Sequence, residues 1–148
     1  MTAPIDHHLE NLGEYLKDRL NEAGEALDAA ITVVEDVSYL GDFNSTDKFP
    51  LLLIYRTGGK GYGGDRREFW EIVYLLSNYG DVYDVPRVLA WVFEEHNDSN
   101  IINLLVNYFS QTQCSGLKLD VNSLDWNYLY RTAIGNSAGG RLKFTLSA

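Results

Sequence analysis

The residues best placed to do chemistry lie between Thr57 and Arg66. Five glycines surround one lysine in Thr57-Gly58-Gly59-Lys60-Gly61-Tyr62-Gly63-Gly64-Asp65-Arg66, and Arg56 and Arg67 flank the stretch. Glycine-rich backbone beside a lysine is the composition of a phosphate cradle. The order of residues argues against that reading. A P-loop places Gly-Lys-Ser/Thr at the opening of a helix. Here Gly61 follows Lys60, and the next regular pattern is the alternation of a strand. The dinucleotide fingerprint fails for the same reason, since no helix follows to offer its N-terminus to a pyrophosphate.

Other reactive groups give less. Glu94-Glu95-His96 does not set two histidines on one helical face, and the adjacent His7 and His8 point to different sides of a helix. Neither pattern holds a zinc ion. Cys114 has only His96 as a distant activating partner and reads as an inert thiol. Asp81 and Asp84 read as turn and cap residues. The sequence predicts no catalytic residue, no metal site and no cofactor.

Charge is more informative. The formal net charge of −9 is unevenly spread. Residues 1–50 carry a balance of −8, and residues 51–148 a balance of −1. Within the second part, positions 56–67 carry Arg56, Lys60, Arg66 and Arg67 against Asp65, a local balance of +3. An acidic surface of this kind withholds the counterion-release term that drives non-specific binding to nucleic acid. A single cysteine allows no intramolecular disulfide and suits a reducing compartment. The first twenty residues show no apolar block of a secretory signal, and no run is long and apolar enough to cross a membrane.

The length suits one domain, residues 1–148, with 1–8 expected to be mobile. Residues 9–30 have Leu9, Leu12, Leu16, Leu20, Ala23 and Leu27 at three- and four-residue steps, which predicts an amphipathic helix with Asp6 as its N-cap. Glu10, Glu14, Asp18 and Glu25 fall on its wet side. Gly13 and Gly24 weaken that helix and leave room for close packing. Residues 31–37 read as a strand. A hairpin at 51–76 follows, with Pro50 before it and a loop over 57–66 longer than hairpins need. Trp70, Ile72, Tyr74 and Leu76 share one face of its second strand; Phe69, Glu71, Val73 and Leu75 share the other. Two helices are expected, from Asp84 and over 101–111. A short strand at 117–121 precedes a closing hairpin, 126–134 with 141–147, around a glycine-rich loop at 135–140. The class is α+β: a mostly antiparallel sheet, an N-terminal amphipathic helix and two central helices packed on it.

The order of elements, the size and the charge distribution resemble the small α+β neck proteins of long-tailed bacteriophages, the tail terminator family in particular. The resemblance rests on the acidic helix over 9–30, the run Phe49-Pro50-Leu51-Leu52-Leu53-Ile54-Tyr55-Arg56, the long-looped hairpin, the helices from Asp84 and the C-terminal hairpin. It implies a non-enzymatic virion structural protein, assembled in the host cytoplasm. A homo-hexameric ring would cap the tail tube and join it to the neck and head connector in virion assembly. DNA would pass through without specific binding, and no membrane is involved. The expected subunit or tail interface is the basic arm Arg56, Lys60, Tyr62, Arg66 and Arg67, flexible until it docks, against the acidic helix face Glu10, Glu14, Asp18 and Glu25. The competing expectation is a small acidic cytosolic inhibitor of the immunity type, which would block a basic enzyme by charge and shape.

Overall fold

A computed structural model describes residues 4–27, 32–39, 48–61, 66–76, 91–93, 100–111, 116–132 and 135–147. Helix α1 spans Pro4–Leu27, and strands β1, β2 and β3 span Asp36–Ser38, Leu51–Lys60 and Arg67–Leu75. Residues 91–93 are helical. Helix α2 spans Ile101–Phe109, and strands β4 and β5 span Lys118–Thr132 and Gly135–Ser147. The five strands form one sheet in the order β1-β2-β3-β5-β4. Among the described strands, only the β1–β2 pair is parallel. The class is therefore α+β with a mostly antiparallel sheet, as the sequence predicts.

Strand alternation divides the core. Leu52 and Ile54 of β2, Trp70, Ile72 and Tyr74 of β3, and Leu142, Phe144 and Leu146 of β5 share one buried cluster with Leu12, Leu16 and Leu20 of α1. Leu104, Leu105, Tyr108 and Phe109 of α2 belong to it as well. Each such side chain contributes about 1.5–3 kcal/mol by leaving water. The rings of Tyr15 and Tyr108 join the two helices, with centroids 5.3 Å apart. The alternate positions Leu51, Leu53, Val73 and Leu75 form a second, smaller cluster on the other face of the sheet. Both facings agree with the alternation in the sequence.

Helix α1 begins five residues before the expected Leu9. Pro4 opens it, at a position where its missing N–H leaves no helical bond unmade. Asp6 is thus inside the helix rather than its N-cap, and residues 4–8, expected to be mobile, are helical. Gly13 serves close approach, as its sequence context suggests: a Cβ there would meet the Tyr39 hydroxyl and, at 2.9 Å, the Val37 side chain. Helix α2 is capped by Asn100, whose side chain accepts a hydrogen bond from the Asn103 N–H at 2.8 Å.

Three further sequence expectations need correction. The strand expected over 31–37 starts only at Asp36. The backbone of the preceding valines is engaged elsewhere. Asn21 accepts from the N–H groups of Val33 (2.9 Å) and Val34 (2.8 Å) and donates to the Val34 carbonyl at 2.7 Å. The Tyr74 hydroxyl donates to the Val33 carbonyl at 2.6 Å. With these groups satisfied by side chains, no ladder forms there.

Second, the strands expected at 117–121 and 126–134 are one strand, β4. A bulge between Val121 and Ser123 carries the chain through the polar stretch that reads as a break. Third, residues 135–140 form part of β5 rather than a loop. Gly139 packs against the Tyr74 carbonyl, and a Cβ on Gly140 would meet the Phe93 ring at 2.5 Å. These glycines permit a close approach instead of a turn. Most of the helix expected from Asp84 lies outside the described residues; 91–93 are its described part.

Candidate functional site

The basic residues gather at the end of the β2–β3 hairpin. The apolar run of β2 ends at Tyr55, and a bulge between Arg56 and Gly58 re-aims the last residues of the strand. β2 continues to Lys60, with Gly58, Gly59 and Lys60 paired to Phe69, Glu68 and Arg67. The first four residues of the loop expected over 57–66 thus belong to β2, and β3 starts at Arg67. Gly61 sits at φ 82°, a left-handed conformation suited to glycine. Gly58, Gly59 and Lys60, expected in the loop, are paired in the ladder, and the Thr57 hydroxyl donates to the Phe69 carbonyl at 3.2 Å. Tyr62 lies outside the described residues.

An open pocket of about 250 Å³ forms here, lined by Arg56, Lys60, Arg66, Arg67 and Glu68 with the three glycines Gly58, Gly59 and Gly61. Four basic residues against one carboxylate give it an excess of positive charge. Its described lining comes from the ends of β2 and β3, and among the described residues no helix N-terminus lines it.

Glu68 organises the inner part. Its side chain is only 2% exposed, and it lies on the helix-covered face, two residues before Trp70. Arg56 Nε stands 3.5 Å from its Oε2, and Arg66 Nη2 donates to its Oε1. The Arg56 guanidinium also lies over the Trp70 ring, 5.1 Å from the centroid. Two of the four expected interface cations thus close an internal ion-pair group. The sequence shows Arg56, Arg66 and Glu68 but gives no sign that the carboxylate is buried.

Lys60 and Arg67 behave differently. They are register partners at the end of the ladder, and both are exposed. Neither has an ion-pair partner among the described residues.

The acidic half of the expected interface lies on α1. Glu14 and Asp18 are exposed on its outer side. Arg19 and Glu22 pair with each other at 3.6 Å. Glu10 and Glu25 belong to α1, but their side chains lie outside the described set. Among the described residues, no acid of α1 meets a base of the hairpin.

A further polar group was not anticipated. On the other face of the sheet, the Tyr55 hydroxyl donates to Glu71 Oε2 at 2.5 Å. Arg141 Nε and Lys143 Nζ each stand 3.8 Å from the same carboxylate. Cross-strand register brings Tyr55, Glu71 and Lys143 side by side, tying three strands together. The alternation of charge with apolar residues in β3 and β5 was the available signal, but it reads equally well as a solvated face.

Among the described residues, no group of three His, Cys, Asp or Glu side chains is placed to hold a metal ion. No described helix is long and apolar enough to cross a membrane. Cys114 and His96 lie outside the described residues. No protein-family model matches the chain, and no curated protein matches its sequence.

Proposed function

We propose that this chain is a non-enzymatic structural protein of a phage tail or neck, forming a ring that caps the tail tube and joins it to the head connector. The observation that carries the reading is the pair of oppositely charged surfaces on one chain. One is the outer side of α1, with Glu14 and Asp18; the other is the basic end of the β2–β3 hairpin. A single chain with two complementary, non-overlapping patches is built for a heterologous contact, and such contacts close into rings when the rotation permits. The net charge of −9 supports the same reading, because DNA moving through the ring meets a surface that does not grip it.

The test is solution mass together with negative-stain imaging, on the free protein and on isolated tail tubes. The expected result is a ring of roughly six copies with a central hole, free or seated on the tube end. A protein that stays monomeric at every concentration and ignores tubes would overturn the proposal, and would favour the acidic-inhibitor alternative.

A further inference from the structure

The four basic residues at the hairpin end form two pairs with different surroundings. Arg56 and Arg66 are engaged by Glu68 on the helix-covered face. Lys60 and Arg67 are directly opposite each other across the strands. Strand alternation from Glu68 places Arg67, and with it Lys60, on the other face of the sheet. Like charges directly opposite repel, with Cβ atoms about 5 Å apart. An anionic partner would relieve that repulsion.

The acidic counterpart has the same dimensions. Glu14 and Asp18 are one helical turn apart on α1, both exposed and without an ion-pair partner among the described residues. Residues at this spacing have Cβ atoms about 5–6 Å apart. Within one chain the two pairs are kept apart. α1 packs on the sheet face that holds Leu52, Ile54 and Trp70, whereas strand alternation assigns Lys60 and Arg67 to the reverse, at the end of the ladder.

We propose that the Lys60–Arg67 pair is the docking site for the Glu14–Asp18 pair of a second copy of this chain. The proposal rests on the ring reading and names the contact that would build the ring. Each copy offers a cation pair to one neighbour and a carboxylate pair to the other. Arg66, which holds a buried carboxylate, is a structural residue rather than a contact.

The test is a charge swap on the full chain. K60E/R67E and E14K/D18K are each expected to weaken self-association by about tenfold or more, read by sedimentation or mass photometry. Combining the four changes in one chain, or mixing the two double variants, is expected to restore assembly. Circular dichroism and thermal melting of each variant, expected to match the parent, separate lost contact from lost fold; K60A/R67A serves if a reversed variant does not fold. Rings that persist unchanged in both double variants would overturn this docking and leave the ring reading standing. Failure of the swap to restore assembly by folded variants would overturn it too. A parent chain that forms no ring, free or on tubes, would instead overturn the ring reading, and this contact with it.

Discussion

Arg56 Nε stands 3.5 Å from Oε2 of Glu68, a carboxylate whose side chain is 2% exposed, while the Arg56 side chain is 35% exposed. A buried acid is thus held by cations that reach water. The acid carries most of the desolvation penalty, and Oε2 has no hydrogen bond among the described residues to offset it.

Removing the cations is expected to cost more than removing the acid. R56A/R66A leaves a buried charge unpaired, with an expected loss of about 3 kcal/mol, at the low end for buried pairs because solvent reaches both guanidinium groups. Glu68→Gln takes the charge away and is expected to cost about 1 kcal/mol. Urea midpoints at constant slope make the comparison. Equal losses would mean that Arg56 and Arg66 do not hold Glu68 as the geometry implies.

Asn21 is the second test. Its amide makes three hydrogen bonds to the backbone of Val33 and Val34, twelve and thirteen residues along the chain. Asn21→Ala leaves those groups without protein partners, and a stability loss of about 2–3 kcal/mol is expected. Asn21→Asp keeps the acceptor for both N–H groups but sets a carboxylate against the Val34 carbonyl, so it should also destabilise. Protection of the Val33 and Val34 amides in hydrogen exchange reads the local effect, which should exceed that at Leu105.

Tyr74 predicts an alkaline limit. Burial raises its phenol well above the ordinary value of 10.0. The unfolded chain can ionise this group above pH 10 while the folded chain holds it neutral, so protons are bound more tightly in the folded state. The contribution is complete below that pH and is lost as pH rises beyond it, at about 1.4 kcal/mol per pH unit. Tyr74→Phe should remove this component of the slope. It should also cost about 1–2 kcal/mol at neutral pH, because the Val33 carbonyl loses its donor.

Gly139 tests the close approach of β3 and β5. A Cβ there would collide with the Tyr74 carbonyl, which is backbone and cannot swing away. Gly139→Ala is expected to lower stability by about 2–3 kcal/mol. Gly58→Ala serves as the control: its Cβ would meet only the Phe69 ring at 3.9 Å, an ordinary contact. A similar loss at both positions would point to strand entropy rather than collision.

Some of this was legible in the chain because it depends on local periodicity. Leu12, Leu16 and Leu20 fall on one side of a helix whatever lies beneath them. Trp70, Ile72 and Tyr74 likewise share a face in any strand, and both groups are buried where that pattern puts them. The α+β class follows from the order of such segments. The uneven charge is also a property of sequence alone.

Tertiary structure decided what each polar or glycine residue is for. Val33 and Val34 have strand-forming side chains, yet their backbone is taken by Asn21 and Tyr74 from distant parts of the chain. Gly139 and Gly140 have the composition of a turn, yet Gly139 lines a contact that exists only once β3 and β5 pair, and Gly140 one with the Phe93 ring and the Asp125 carbonyl. Arg56, Lys60, Arg66 and Arg67 look equivalent in a row of letters. The burial of Glu68 separates them, engaging two in the fold and leaving Lys60 and Arg67 at the surface. Burial and long-range partners are set by how elements pack, and a one-dimensional pattern carries neither.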